Sequence, residues 1–327
     1  TGRVWKAHDP ERPAPNIVHP GATNAEPPED AIVLFGGGPL NQWTTPSGGT
    51  PTWRVGDGFF ETVPGAGPLV TRQGFGDVQL HVEWSTPPNP TGNGQNRGNS
   101  GVILMGRYEI QVLDSWGNRT YPDGQAGAVY GQHPPLVNAS RGPGEWQTYD
   151  IVFRRPRFRP DGTLLRPARF TVLHNGVLIQ DAATVWGPTN WLVAGKYQRH
   201  PDRLPLLLQD HEHPVRYRNV WVRELPDLPA DEEGAATSRP AVQLTTAQLD
   251  RLTGTYRNGD RTVAVIRRQG RGLLLDLFER TFAIVPESAT RFTFPTTAGT
   301  IDFSPGPGGT GVVIRIAEAV IEGTRTR

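Results

Sequence analysis

RGNSGVILMGRYEIQVLDS, residues Arg97–Ser115, holds two short apolar runs, GVILM and YEIQVLD, on either side of a Gly. Runs of this length, rich in β-branched and aromatic residues and flanked by Gly and Asn, predict strands. Successive side chains on a strand point to opposite faces. Glu109 and Gln111 therefore share one face, and Ile110 and Val112 the other. An acid and an amide on one face, with Asp114 just beyond, suit either a solvated surface or the floor of a polar binding site.

The same alternation recurs in VQLHVEWS, Val78–Ser85. Gln79, His81 and Glu83 fall on one face, and Val78, Leu80, Val82 and Trp84 on the other. Two strands with a polar face backed by an apolar one fit a curved sheet that lines a groove for a polar ligand. The ordinary outer faces of a sandwich would give the same pattern. Further short β runs are AIVLF, TWRVGDGFFET, QTYDIVFR, RFTVLHNGVLI and YRNVWVREL. They recur at roughly ten to fifteen residues, with turn signals between them, as in a sandwich or jelly roll. HNG (His174–Gly176) is a hairpin signal, because Asn and Gly accept the positive φ of a tight turn. The Arg-rich RRPRFRPDG, Arg154–Gly162, reads as an extended hairpin arm.

The chain has 327 residues, with 39 Gly, 32 Pro and 9 Trp. That length suits two domains. The composition suits a loop-rich, all-β protein with enough aromatic surface for a core. Residues 1–30 are polar and proline-punctuated and predict an extended N-terminal arm. A first domain then spans 31–225. Residues 226–244 (PDLPADEEGAATSRPAVQ and its flank) have linker composition. Residues 245–327 predict a small second all-β domain. It opens on one short helix in TTAQLDRL, capped by Thr245 or Thr246 and stopped at Gly254.

A net charge of +1 gives no electrostatic case for nucleic acid. No apolar run is long enough to span a membrane as a helix. With no cysteine, disulfides, thiolate nucleophiles and thiolate-bound metals are excluded. No G-x-S-x-G elbow or HExxH is present. The glycines of FGGGPL (Phe35–Leu40) precede no helix, so no nucleotide cofactor is expected. The densest polar segment is LQDHEHPVRYRN, Leu208–Asn219. Its Gln209, Asp210, His211, His213, Arg218 and Asn219 suit metal ligation or proton transfer, or simply a polar loop. Glu109 and Asp114 raise the possibility of a retaining glycosidase pair. Such a pair needs carboxyls about 5 Å apart, which here would require a bulge.

Taken together, AIVLFGGGPLNQW, TWRVGDGFF, LVTRQGFGDVQLHVEW, RGNSGVILMGRYEIQVLDS, the W-x-x-Y-D-I strand, FTVLHNGVLIQD and LPLLLQDHEHPVRYRNVWVREL resemble the 3-keto-disaccharide (3-keto-glycoside) hydrolase family over roughly residues 31–225. The resemblance implies a concanavalin-A-like jelly roll with a sugar-handling groove. Glu212 departs from the pattern, which commonly has Gly after LQDH. The C-terminal segment resembles, through LxGTY, VPES and RFTF, the small β-barrel appended to β-lactamase-like hydrolases.

The resemblance implies cleavage of 3-keto-glycosides by C2 proton abstraction, β-elimination of the C1 substituent and addition of water. Glu109 or His211 is then the base, with Asp114 a further catalytic candidate. Asn99, Gln111, Gln209 and Asn219 would position hydroxyls. Glu83 and Arg218 would also bind substrate, and Tyr130 or one of the Trp residues would stack on a sugar face. The ketone would be polarised by one divalent metal held among Glu83, Glu109, Asp114 and His211, or by Arg218 without a metal. A separate sugar 3-dehydrogenase would act upstream, and a periplasmic or extracellular setting is expected. The competing expectations are a carbohydrate-binding module or lectin without chemistry, and an ordinary retaining glycosidase using Glu109 and Asp114.

Overall fold

The long strand β9, Gln147–Arg154, buries alternate side chains, and the apolar sets of the two large sheets of the first domain meet in one core. The computed structural model describes residues 8–192, 195–227, 242–294, 299–306, 309–316 and 319–326. It divides into two units, Ile17–Leu228 and Pro229–Arg327 together with Thr1–Asn16.

The first unit contains β1 (Ile32–Phe35), β2 (Trp43–Thr44), β3 (Arg54–Gly56), β4 (Phe59–Glu61), β5 (Leu69–Phe75), β6 (Val78–Ser85), β7 (Ser100–Leu104), β8 (Tyr108–Val112), β9 (Gln147–Arg154), β10 (Arg157–Phe158), β11 (Leu164–Arg166), β12 (Arg169–His174), β13 (Val177–Thr184), β14 (Leu204–Leu208) and β15 (Arg216–Glu224). One sheet runs β13-β12-β9-β6-β15-β4-β3, with β1 also paired to β15; the other runs β2-β5-β14-β7-β8. Strands β10 and β11 form the separate two-stranded arm that RRPRFRPDG predicts. Leu80, Val82, Trp84, Tyr149, Ile151 and Tyr217 of the larger sheet share one buried core with Val102, Tyr108, Ile110, Val112 and Leu208 of the smaller. Two inward tyrosines tie the sheets by hydrogen bonds as well as packing. Tyr149 donates to the Gln111 carbonyl at 2.7 Å, and Tyr217 to Ser100 Oγ at 2.6 Å. These satisfied hydroxyls avoid the penalty of burying a polar group alone. The architecture is the concanavalin-A-like jelly-roll sandwich.

TWRVGDGFFET resolves into the hairpin β3–β4, with Asp57 and Gly58 at φ 51° and 78° in its turn. HNG closes β12–β13 in the same way, with Asn175 at φ 52° and Gly176 at φ 80°. Beyond the two-residue β2, the smaller sheet holds two strands that the β runs above leave out, β5 and β14. Gly74 and Pro205 disguise them, since both residues weaken a strand reading.

The second unit opens on helix α1 (Thr246–Asp250). Thr245 caps it in a reciprocal box with Gln248. Eight strands then close a barrel: β16 (Gly254–Asn258), β17 (Arg261–Gln269), β18 (Gly272–Leu277), β19 (Arg280–Pro286), β20 (Arg291–Thr293), β21 (Gly299–Gly306), β22 (Gly309–Ile316) and β23 (Ala319–Arg325). Closure removes exposed sheet edges. Tyr256, Leu275, Phe292, Phe294, Ile301 and Ile314 belong to its core. Most of the linker expected at 226–244 lies outside the described residues, as do residues 1–7 of the expected arm. Among the described residues no helix is long and apolar enough to cross a membrane.

Asn175 does more than permit the turn. Its side chain accepts from Thr148 N at 2.9 Å and donates to the Ala139 carbonyl at 2.8 Å and Gln147 Oε1 at 2.7 Å. Asn175→Ala should therefore lower unfolding stability by roughly 1–3 kcal/mol, read as a shift in urea midpoint at constant slope.

Candidate active site

On β8 the residues that alternate with the core set are Glu109 and Gln111, so they face away from the second sheet; Arg107 lies in the turn just before the strand. Around them lies a cavity of about 880 Å³, near the upper end for small-molecule sites. Its floor spans three neighbouring strands. β7 contributes Ile103 and, just before its start, Asn99. The hairpin arm of β8 contributes Arg107, Glu109 and Gln111. Gln209 and His211 follow β14. Beyond β8, Tyr130 N donates to the Glu109 carbonyl at 3.2 Å, which carries Tyr130 into the wall.

Glu109 is 7% exposed. Burial pushes its carboxyl up to about 8, and no cation offsets that effect. The carboxylate leans across to β7, over the backbone of Gly101. A Cβ at Gly101 would lie 2.4 Å from Glu109 Oε1. The Gly of NSG is thus the space that the acid occupies. Gln111 lies beside it. In one amide orientation Gln111 Nε2 donates to Gln95 Oε1 at 2.9 Å; turned by half a rotation it donates to Glu109 Oε1 at 3.1 Å and the Ser100 carbonyl at 2.9 Å. Asn99 Nδ2 donates to the Gln95 carbonyl at 2.8 Å. Gln95 Nε2 in turn donates to the Gly124 carbonyl at 2.9 Å, so the amide cluster is fixed from behind.

The LQDH segment is held just as firmly. Gln209 N donates to the Gly101 carbonyl at 3.0 Å, and Ser100 Oγ to the Gln209 carbonyl at 2.5 Å. Asp210 does not face the ligand; its two oxygens accept from Gly67 N and Glu212 N. Glu212 adopts φ 60°, the left-handed region that favours Gly. The turn the family pattern implies is kept here by a non-glycine residue. His211 reaches the cavity and stacks on His213, ring centroids 6.0 Å apart.

The other expected site residues are elsewhere. Asp114 lies beyond the end of β8, where Arg97 Nε donates to it at 2.8 Å and Trp116 N at 3.1 Å. It does not line the cavity, so a retaining pair with Glu109 is not assembled. Glu83, Arg218 and Asn219 belong to the larger sheet. Glu83 alternates with the inward Val82 and Trp84 and so points out of the opposite side of the sandwich. The two polar faces of β6 and β8 are therefore separate surfaces and not one groove. Among the described residues no three His, Asp or Glu side chains converge on a metal position. The set Glu83, Glu109, Asp114 and His211 is divided among different surroundings, and Arg218 cannot polarise a ligand bound at Glu109.

The face around Glu83 anchors the N-terminal segment instead. Asn219 at φ 45° interrupts the β15–β6 register; its Nδ2 donates to Glu83 Oε1 at 2.9 Å and the Ala25 carbonyl at 2.8 Å. Trp221 Nε1 donates to the same carbonyl at 2.9 Å, and Arg218 Nε to Glu83 Oε2 at 2.6 Å. His81 Nδ1 donates to Asp150 Oδ1 at 2.7 Å, and the ring stacks on Trp221. Its contact with Glu83, at 3.7 Å, is electrostatic. Burial opposes ionisation of both partners. It is outweighed for His81 by Asp150 and Glu83, which raise the imidazole to about 9. For Glu83 it is outweighed by His81, Asn219 and Arg218, which hold the carboxyl down at about 2.

Sequence reasoning missed Arg107, Gln95, Asn96, Tyr121, Thr189, Asn190 and Trp191, all of which line the cavity. Arg107 lies in the β7–β8 turn, where strand alternation assigns no face. The loop residues come from segments far apart in the chain and carry no local periodicity. The loop is tied to β8 by Thr189, whose N donates to the Arg107 carbonyl at 2.9 Å and whose Oγ1 accepts from Glu109 N at 3.1 Å.

Two outcomes are expected. Gly101→Ala should displace Glu109 and abolish most activity, while circular dichroism and the melting transition change little. The His81 network stabilises the fold fully below pH 6.5 and is lost as pH rises through about 9. The difference in urea midpoint between wild type and His81→Gln should accordingly shrink between pH 6.5 and 9.5.

The sequence profile of the 3-keto-alpha-glucoside-1,2-lyase-like domain matches residues 30–223, which contain the whole cavity lining. A solved structure from Parabacteroides distasonis ATCC 8503, described as a candidate glycosyl hydrolase, is 43% identical with a TM-score of 0.63, over 65% of this chain and 93% of its own. Two others from that organism, described alike, are each 20% identical, with TM-scores of 0.45 and 0.44 over 61% and 60% of this chain and 95% and 99% of theirs. No protein of curated function matches the chain. By the extent of the profile match, the chain belongs to the 3-keto-alpha-glucoside-1,2-lyase-like family.

Proposed function

We propose that the protein cleaves 3-keto-glycosides by elimination and rehydration, with Glu109 as the base. One observation carries the reading: among the described residues lining the cavity, Glu109 is the single carboxyl, and it is buried without a cation. Ordinary glycoside hydrolysis calls on two carboxyls. Elimination next to a ketone needs one base whose proton affinity is raised toward that of its carbon acid.

A C3 ketone acidifies the C2 proton. Ionised Glu109 removes that proton, and the electron pair moves onto the C3 oxygen. Arg107, which lines the cavity from the turn before β8, supplies positive charge for that oxygen. None of the ion pairs among the described residues uses its guanidinium. Collapse of the enediolate breaks the C1–O bond, and His211 delivers a proton to the departing oxygen. Water then adds at C1, its proton restores His211, and Glu109 returns its proton to C2. The net change is hydrolysis. The amides of Gln95, Asn99, Gln111 and Gln209 orient hydroxyls, and Tyr130 offers a flat wall. No step runs through a metal, since the expected donors do not meet. The substrate must come from oxidation of a glycoside at C3, the reaction of a sugar 3-dehydrogenase.

The test is a paired assay on an aryl glucoside and its 3-keto form. Release of the aglycone only from the keto form is expected, with kcat/KM rising with pH through about 8 as Glu109 ionises. Equal release from the unoxidised glucoside would overturn the elimination reading, and sugar binding without turnover of either would make this a binding module. Glu109→Gln should lower kcat by about 10³-fold or more. The same variant should be more stable than wild type. Because the folded-state pKa is raised, folding is penalised increasingly as pH rises from the ordinary carboxyl value to about 8. Above pH 8 the gain should be on the order of 1–3 kcal/mol by urea denaturation.

A further inference from the structure

The cavity is larger and less uniform than one keto sugar requires. Its floor carries Glu109 and the amides, whereas its lining also includes Tyr121, Pro188 and Trp191. Trp191 is 71% exposed and Tyr121 40%. An indole left largely in water at the rim of a binding cavity marks a surface awaiting a ligand. The loop that presents it is anchored at its base. Trp186 N donates to Gln132 Oε1 at 2.7 Å, and Gln132 Nε2 to the Gly187 carbonyl at 2.9 Å. Thr189 then fixes the loop to β8 on both sides of Tyr108.

The polar groups beside the indole at this rim turn back on the protein. Tyr121 OH bonds Tyr130 OH at 2.8 Å, and Asn190 Nδ2 donates to the Pro188 carbonyl at 3.3 Å. A second sugar ring would need several free hydrogen-bonding partners to fix its hydroxyls. Flat apolar faces with few free polar atoms suit a planar, apolar group instead.

We infer that Trp191, with Tyr121 and Pro188, forms an aglycone subsite for a planar aromatic leaving group, so that the preferred substrates are 3-keto aryl glycosides. This rests on the keto-glycoside reading for its chemistry but on independent residues for its recognition. The acid provision of the cavity fits the same class. His211, itself exposed, is the only group assigned to the leaving oxygen. A phenol departs as an anion of pKa near ~10, like tyrosine, and needs less proton assistance than an alcohol. Trp191 acts on binding and takes no part in the proton transfers.

The experiment compares 3-keto phenyl, methyl and disaccharide glucosides as substrates of wild type, Trp191→Phe and Trp191→Ala. The phenyl-to-methyl ratio of kcat/KM should fall at least fivefold in Trp191→Ala, through KM for the phenyl substrate, and should be largely kept in Trp191→Phe. An unchanged ratio in Trp191→Ala, or a wild-type KM lower for the disaccharide than for the phenyl glucoside, would overturn the subsite. Calorimetry with the unoxidised phenyl and methyl glucosides separates this from failure of the chemistry. If no keto substrate turns over, tighter binding of the phenyl glucoside that Trp191→Ala removes still supports the subsite, and equal binding of both overturns it.

Discussion

One carboxyl pressed against a bare backbone sets the geometry of this site. Glu109 has its oxygen where the Cβ of any residue other than glycine at 101 would be. The position is reachable because β7 and β8 are paired, with Ile103 opposite Glu109 and Gly101 opposite Gln111. It is held because β14 runs on the other side of β7 and hands over Gln209 at Gly101. Keeping it in, uncompensated by any cation, costs stability that the apolar core and the two inter-sheet tyrosines offset. The group is therefore stored in the form that accepts a proton readily once ionised, which is the property an elimination base needs.

The opposite side of the sandwich shows what the same residue types do when they meet opposite charges. Glu83 and His81 are as buried as Glu109, yet each meets an opposite charge, and Asn219 and Trp221 use the face to bind the Ala25 carbonyl. Compensated charge there fixes a chain segment. The contrast separates a structural acid from a reactive one by environment: a carboxyl lowered by its partners is already satisfied, and one raised by burial is not.

This contrast also explains what the sequence could reveal. Strand alternation placed Glu109 with Gln111, and His81 with Glu83, on outward faces, and both placements hold. Alternation assigns a side of a sheet but does not say which sheet, so the two polar faces could be merged into one groove only until the sheet order was known. HNG and the Thr245 cap were legible because turns and caps depend on neighbours in sequence. Strands β5 and β14 were hidden by Gly74 and Pro205. Asp114 looked reactive from its spacing alone; its partner Arg97 is seventeen positions away and reaches it only through the fold. The loop carrying Trp191 had no pattern to read, since its role depends on where Thr189 docks on β8.

The central claim is that Glu109 is a neutral carboxyl near pH 7 that ionises close to 8. Carbon-13 NMR of protein labelled at glutamate side-chain carboxyls, assigned by the spectrum of Glu109→Gln, measures this directly. The account predicts that the Glu109 resonance titrates near pH 8, apart from the other glutamates. Titration of Glu109 within the ordinary range around 4.3 would contradict it.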